Sequence, residues 1–160
     1  MGFSGAGRIW LNGSLVDWPD AKIHIASHVI HYGSGVFEGV RCYSTPKGSV
    51  CFRLGPHIKR LFNSARIYRM EYRLGIEAFQ EAVLDTIRAN PFTSCYIRPI
   101  IYRGYEALGV NPLTCPVDRR CAGGRRGRTG LHSGNKPCRP ALIPCASGVC
   151  GESLRDWCWP

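Results

Sequence analysis

The composition of the chain changes abruptly after Asp118, and this break limits what the chain can fold into. Residues 119–160 carry one Lys and seven Arg against two acidic residues, and they hold seven Gly, four Pro and five of the nine Cys but no Phe or Tyr. A segment so poor in large apolar side chains cannot bury enough surface to fold alone. We therefore expect one folded domain over residues 1–118 and a disordered tail over residues 119–160.

The overall charge and hydropathy exclude some classes of protein. The 160 residues have a formal net charge of +10, and no long apolar run without charges is present, which argues against a membrane span. Residues 1–30 lack the basic start and apolar core of a secretory signal. We expect a cytoplasmic protein.

Two hairpins are predicted in the first half of the chain. Short apolar runs flank Asn12-Gly13, a pair that favours a type I′ turn because both residues tolerate positive φ. Further on, the alternating segment 36–43 and the run Ser49–Phe52 are separated by the turn residues Pro46-Lys47-Gly48.

Helices and a further strand follow these hairpins. The apolar spacing predicts one helix with Pro56 in its first turn and another over Glu77–Ala89. Their buried faces are expected to carry Ile58, Leu61, Phe62 and Ala65 in the first helix and Phe79, Ala82, Val83 and Ile87 in the second. Ser94–Tyr102 is predicted to be a strand with Tyr96 and Arg98 on one face. The pattern indicates an α+β fold of antiparallel hairpins with two helices.

Several polar and aromatic side chains are candidates for a shared cleft. They are Tyr32, Phe37, Gly39, Arg60, Tyr96 and Arg98. The pattern leaves structural alternatives open, namely a core tyrosine for Tyr32, an exposed helix arginine for Arg60 and a cross-strand ladder for Tyr96 and Arg98. Glu38 is interpreted as structural.

Five runs of sequence, in this order along the chain, carry a resemblance to a known family. They are Trp10-Leu11-Asn12-Gly13, the run from His31 to Tyr43, His57-Ile58-Lys59-Arg60-Leu61, Tyr96-Ile97-Arg98-Pro99 and Gly109-Val110-Asn111-Pro112. Together they resemble the small N-terminal domain of the branched-chain amino-acid aminotransferases, which are pyridoxal-phosphate enzymes of fold type IV. The likeness covers about residues 8–118. D-amino-acid aminotransferases and aminodeoxychorismate lyases, which share this fold type, are the nearest alternatives.

The resemblance implies a role for each candidate residue. Arg60 would contact the phosphate of pyridoxal phosphate, and Phe37, Gly39, Tyr96 and Arg98 would line the site for amino acids and 2-oxo acids. Tyr32 and Val110 correspond to positions that reach the active site of a neighbouring subunit, so a homodimer is implied.

The catalytic lysine of the family has no counterpart in this sequence. Transamination needs a lysine that holds the cofactor as a Schiff base and moves a proton. The chain contains only Lys22, Lys47, Lys59 and Lys136, and none lies in a matching context. The acidic partner of the cofactor's pyridine nitrogen is also missing. We expect a truncated, inactive chain with no catalytic residue of its own, or a non-catalytic fragment that associates with full-length subunits.

The segment after Asp118 departs from the family pattern, which continues there into an apolar strand. Its enrichment in Arg, Gly, Pro and Cys is what a frameshift, an unspliced intron or a sequencing error in a G+C-rich gene would produce. Zinc binding by the tail cysteines with His132, nucleic-acid binding by Arg119–Arg128 and a disulfide framework are each less favoured by the spacing and count of these residues. We therefore expect no metal site and no nucleic-acid partner.

Overall fold

The computed structural model of the protein describes residues 7–71, 74–107 and 109–125. Seven strands and three α-helices are present in this part of the chain. The strands are β1 (Arg8–Leu11), β2 (Ser14–Asp17), β3 (Gly35–Phe37), β4 (Val40–Thr45), β5 (Gly48–Cys51), β6 (Cys95–Arg103) and β7 (Val117–Arg125); the helices are α1 (His28–Tyr32), α2 (Leu54–Ile67) and α3 (Ile76–Arg88).

The strands form one antiparallel sheet in the order β2-β1-β7-β6-β4-β5, with β3 also paired to β6. This arrangement confirms the predicted α+β class. The prediction of two helices was incomplete, because the five-residue helix α1 precedes β3. A helix of one turn and a half carries too few apolar positions to produce a periodic signal.

The core lies between one face of the sheet and the helices α2 and α3. The four residues predicted for the inner face of α2 are all buried, as are Phe79, Ala82 and Val83 of α3, while Ile87 is only partly buried. On the sheet side the buried cluster includes Val40, Cys42, Cys95, Ile97, Ile101 and Cys121. Trp10 of β1 closes it with an edge-to-face contact to Phe79, their ring centres 5.6 Å apart.

The first hairpin turns at the predicted dipeptide. Asn12 and Gly13 both have positive φ, 48° and 110°, as a type I′ turn requires. Helix α2 begins at Leu54, so Pro56 lies in its first turn, as predicted. The first N–H groups of a helix have no partner within it, so a proline in the first turn costs no hydrogen bond.

Pro99 explains why the single strand predicted over residues 36–43 is divided into β3 and β4. The pairings Phe37 with Ile100 and Val40 with Ile97 follow one register, which places Glu38 opposite Pro99. Glu38 donates its N–H to the Pro99 carbonyl at 3.0 Å, but proline has no N–H to return. The ladder is therefore interrupted at this point without a change of register.

Strand β7 corrects the predicted end of the folded domain. It pairs with β6 over nine residue pairs, from Val117–Arg103 to Arg125–Cys95, and it also pairs with β1. The predicted boundary after Asp118 therefore falls inside a strand, because two neighbouring strands offer hydrogen-bond partners to a segment whose own pattern does not indicate one. Residues 126–160 lie outside the described residues, and the predictions that concern them, including those for His132 and Lys136, lie there too.

Candidate functional site

The face of the sheet that points away from α2 and α3 gathers most of the predicted site residues. Opposite residues of an antiparallel pair share a face, and the register places Gly39 opposite Arg98 and Arg41 opposite Tyr96. Phe37, two residues before Gly39, lies on the same face. Tyr96 and Arg98 share one face of β6, as predicted, and the alternate residues Cys95 and Ile97 are buried on the helix side.

Four of these residues form a group that we call the Arg98 cluster: Phe37, Gly39, Tyr96 and Arg98. The Arg98 guanidinium carbon lies 4.3 Å from the centre of the Phe37 ring and 5.2 Å from that of Tyr96. Arg98 Nη2 donates a hydrogen bond to Tyr96 Oη at 2.8 Å. These contacts hold the guanidinium plane against two aromatic rings, an arrangement that suits arginine better than lysine.

Gly39 leaves room for the Tyr96 hydroxyl. A Cβ atom at this position would lie 2.5 Å from Tyr96 Oη and 3.2 Å from its Cζ, well inside van der Waals contact. The backbone approach at Gly39 therefore fixes where the Tyr96 ring ends and, through it, where the Arg98 guanidinium lies. This is a packing reason for glycine that does not depend on an unusual φ.

A mostly apolar cavity of about 320 Å³ adjoins the Arg98 cluster at Phe37. Its walls come from α1 and the segments on either side of it and from strands β3 and β6, with Arg120 of β7 also lining it. Phe37, which is 59% exposed, lines this cavity, and its ring also contacts the Arg98 guanidinium. An aliphatic group and an anionic group could thus be bound beside one ring.

Arg60 belongs to a second group on the helix side of the sheet, the Glu38 cluster of Glu38, His57 and Arg60. Arg60 donates from Nε to Glu38 Oε1 at 2.5 Å and from Nη2 to Glu38 Oε2 at 2.6 Å, a bidentate pair. His57 Nδ1 lies 3.0 Å from Glu38 Oε2. The carboxylate side chain is only 8% exposed, whereas the arginine is more than half exposed.

The ionisation of Glu38 reflects competing effects. Burial alone would raise its pKa, but the hydrogen bonds from Arg60 and His57 and the nearby positive charge of Arg60 outweigh burial and lower the pKa below its ordinary value. The same pairing raises the pKa of Arg60. Glu38 is therefore ionised at neutral pH and holds the Arg60 fork in one orientation.

The donors left on Arg60 fit a phosphate group. A guanidinium carries five N–H donors, and the pair with Glu38 uses one on Nε and one on Nη2. Both hydrogens of Nη1 make no hydrogen bond to the described residues, and the side chain reaches solvent. Arg60 could therefore donate to phosphate oxygens while Glu38 keeps its position.

The structure does not join Tyr32 or Val110 to either cluster by a hydrogen bond or ring contact within the described residues. The Tyr32 ring lies tilted against His28 with ring centres 4.5 Å apart. Tyr32 is 50% exposed, and Val110 is 79% exposed in the loop after β6. Lys22, Lys47 and Lys59 are all exposed. Over residues 7–71, 74–107 and 109–125, no group of three or more His, Cys, Asp or Glu side chains is arranged to hold a metal ion, and no helix is long and apolar enough to span a bilayer.

Sequence reasoning missed the part that Glu38 and His57 play in holding Arg60. The signal was present in two places. His57 and Arg60 are three residues apart in a helix and so share a face, and Glu38 lies between two predicted site residues in a segment where alternation turns it to the opposite side. Nothing in the sequence indicated that these two segments meet.

The class of protein follows from comparison with known families. The family model for amino-transferase class IV matches residues 35–120, which include both clusters. The chain belongs to this family.

Its curated relatives are branched-chain-amino-acid aminotransferases. The chain is 51% identical over 107 residues to the enzyme of Escherichia coli (strain K12), covering 67% of this chain and 35% of the relative, and 46% identical over 104 residues to that of Pseudomonas aeruginosa, covering 65% and 34%. The chain thus spans about a third of the length of the curated relatives it matches.

Solved structures that superpose on this chain are also branched-chain aminotransferases. The Escherichia coli branched-chain amino acid aminotransferase superposes with a TM-score of 0.73 at 47% identity, over 76% of this chain and 41% of the other. The branched-chain aminotransferase of the thermophilic archaeon Thermoproteus uzoniensis, solved with norvaline, superposes with a TM-score of 0.73 at 35% identity, over 77% and 42%. The described fold is that of the small domain of these proteins.

Proposed function

We propose that this chain supplies one side of a branched-chain amino-acid aminotransferase site, with the Arg98 cluster as substrate wall and Arg60 as phosphate anchor, and that it does not transaminate on its own. The observation that carries the proposal is the Arg98 guanidinium, held by Phe37 and Tyr96 on an open sheet face. Leucine, isoleucine and valine would donate the amino group, and 2-oxoglutarate would receive it.

The substrate carboxylate is assigned to Arg98. Its Nε is buried and makes no hydrogen bond to the described residues, and only Nη2 is used by Tyr96. A buried donor without a partner is costly, so an acceptor placed there gains more than one at an exposed arginine. The distal carboxylate of glutamate or 2-oxoglutarate would bind at this point.

The aliphatic substrates are assigned to the Phe37 side of the cluster. The absence of a side chain at Gly39 and the apolar cavity beside Phe37 offer space and surface for a branched aliphatic group. A wall that carries an arginine next to apolar surface can bind both substrates of the reaction in turn.

Pyridoxal phosphate, when bound, supplies an electron sink at the substrate α-carbon. Arg60 would hold its phosphate through the free Nη1 donors, and Glu38 would orient Arg60. No lysine of the described residues lies in either cluster, so none is placed to accept the α-proton. The described residues therefore position groups, and no lysine among them is placed to move a proton.

A second subunit is part of the proposal. Tyr32 and Val110 are exposed, as residues that contribute to a neighbouring site must be. In the proposed homodimer they would complete the substrate wall of the partner.

We also propose that the segment after Asp118 is read out of frame. Arg119 supports this, because β7 turns it toward the core face, opposite the buried Ile101, and its Nε has no hydrogen-bond partner among the described residues. Sequencing the locus and its transcript tests the point, and an intact frame through residue 160 would refute it.

The experiment for the main proposal is an absorbance scan of the purified chain with pyridoxal phosphate, before and after borohydride reduction, with peptide mapping of the product. We expect no stoichiometric lysine adduct and no turnover of leucine with 2-oxoglutarate. A single labelled lysine together with turnover would contradict the inactive assignment.

The substrate wall is tested separately by binding of 2-oxoglutarate, followed by NMR line broadening. Arg98→Gln should abolish the broadening, and Arg66→Gln, at an exposed position of α2, should leave it unchanged. Equal broadening in both variants would remove Arg98 from the site.

A further inference from the structure

Three cysteines lie side by side across three neighbouring strands, on the core face and away from both clusters described above. The register places Cys42 of β4 opposite Cys51 of β5 on one side and opposite Cys95 of β6 on the other. All three are free thiols.

The two pairs differ in backbone geometry. Phe52 donates its N–H to the Arg41 carbonyl, so the pair Arg41–Phe52 is hydrogen-bonded and the next pair, Cys42–Cys51, is not. On the other side, the Glu38 N–H donates to the Pro99 carbonyl, so Glu38–Pro99 is a hydrogen-bonding position. Such positions recur at every second residue of an antiparallel ladder, and Cys42–Cys95, four residues further along, is therefore a hydrogen-bonded pair. In a non-hydrogen-bonded pair the Cα atoms are about 4.5 Å apart, within the range that a disulfide spans and with the side chains closer together.

A cavity opens onto this pair. It has a volume of about 470 Å³ and is lined by both Cys42 and Cys51, with further walls from α3, from the segment after α3 and from Ser49. Cys51 is partly exposed, whereas Cys42 and Cys95 are buried. A small reagent therefore reaches Cys51 first.

We infer that Cys42 and Cys51 form a dithiol that closes into a cross-strand disulfide by exchange with a small disulfide such as oxidised glutathione. This is a modification site that is independent of the proposed function. The Cys51 sulfur attacks the small disulfide, whose S–S bond breaks to give a mixed disulfide and one free thiol. The Cys42 sulfur then attacks Cys51 and releases the second thiol.

The exchange balances without a further reagent. The two protein thiols lose two protons and two electrons, and the small disulfide takes up both to become two thiols. Because Cys42 is held beside Cys51, the second step is intramolecular and proceeds at a high effective concentration.

The environment predicts that the first step is slow at neutral pH. Burial, with the neighbouring thiols of Cys42, Cys95 and Cys121, raises the pKa of Cys51 to about 12. The charged side chain on the cavity wall is Arg88, whose guanidinium is paired with Glu81 and Asp85. Since only the thiolate attacks, we expect the rate to rise about tenfold for each pH unit below that pKa.

Tryptic mapping without reduction tests the inference on the full chain. Cleavage at Arg41, Lys47 and Arg53 separates Cys42 in peptide 42–47 from Cys51 in peptide 48–53, and Cys95 falls in peptide 89–103. After incubation with oxidised glutathione and blocking of free thiols, we expect the linked pair 42–47 with 48–53 to exceed every other linked pair by at least about tenfold.

Matched variants separate this pair from general thiol oxidation. Cys51→Ser should abolish the linked peptide, while Cys95→Ser and Cys115→Ser should retain it, with circular dichroism showing that each variant is folded. A dominant Cys42–Cys95 link, an even spread over the cysteines, or complete blocking of both thiols after the incubation would each overturn the inference.

Discussion

Strands β6 and β7 are neighbours of equal length, paired over nine residues, yet they hold their places in the sheet for different reasons. In β6 the buried side chains Ile97 and Ile101 alternate with residues that face the other side, and these isoleucines anchor the strand in the core. Among the described side chains of β7, Cys121 alone is a fully buried apolar member of the core, and Arg119 faces the same side.

The difference shows that a strand can be formed by side-chain packing or by its neighbours' backbones. β7 lies between β1 and β6, both of which present N–H and C=O groups along the gap, and filling that gap satisfies two rows of hydrogen bonds. The side-chain pattern of β6 agrees with its place in the sheet, whereas the arginine-rich sequence of β7 does not.

The largest expected effect is at Ile101 in β6. Ile101→Ala should lower the free energy of unfolding by about 3 kcal/mol, because a fully buried side chain leaves a cavity between the sheet and the helices. Urea unfolding followed by circular dichroism measures it. Ile100→Ala, on the opposite face and only partly buried, is the control and should cost about 1 kcal/mol. Equal losses would mean that β6 is not anchored by one face.

At Arg119 in β7 a substitution is expected to increase stability. Arg119→Leu should raise the free energy of unfolding by about 1 kcal/mol, since it replaces a buried donor that lacks a partner among the described residues with apolar surface. The same urea titration applies.

Arg120 is the matched control for Arg119, because it points to the other side of β7. It donates hydrogen bonds to Tyr102 Oη and to the backbone carbonyls of Ala21 and Lys22. Arg120→Leu should therefore lower the free energy of unfolding by about 1–2 kcal/mol. If the two variants change stability in the same direction, the alternation described for β7 is wrong.

A smaller effect is expected where β6 meets the segment between β3 and β4. Gly39→Ala should cost about 1 kcal/mol, because its Cβ must displace the Tyr96 hydroxyl, which lies at the end of a movable side chain. Gly109→Ala, with no described atom within 4 Å of the added Cβ, should change little. A neutral Gly39→Ala would indicate that Tyr96 is not held by this approach.

The smallest expected effect is a dependence of stability on pH that comes from Glu38. Its folded-state pKa lies below the ordinary value of 4.5, so its contribution is fully present above that value and is lost as the pH falls through the folded pKa. With Arg60 half exposed, the contribution should be below about 1 kcal/mol. The difference in unfolding free energy between wild type and Glu38→Gln should shrink on acidification, and a difference that grows instead would contradict the sign.

Much of the fold was predictable because its signals are local. The Asn12-Gly13 turn, the two amphipathic helices and the alternation of β6 each depend on residues a few positions apart, and all three were confirmed. The division between β3 and β4 was not predictable, because it depends on Pro99, which is distant in the chain. The strand β7 was missed because its pairing with β1 and β6 also depends on segments distant in the chain.

The candidate site was likewise predictable only in part. The sequence indicated Phe37, Gly39, Tyr96 and Arg98, and the structure brings these four together. It also indicated Arg60, which the structure joins to Glu38 and His57 and not to the Arg98 cluster by any hydrogen bond among the described residues.

The sequence by itself determined which segments are amphipathic, where the chain turns, and which family the chain resembles, because periodicity, turn chemistry and short motifs are properties of neighbouring residues. Only the tertiary structure decided that Glu38 meets Arg60, that Cys42 lies between two other thiols, and that an arginine-rich segment becomes a central strand. Each of these depends on the register between distant strands, which is set by the hydrogen-bonding needs of the whole sheet.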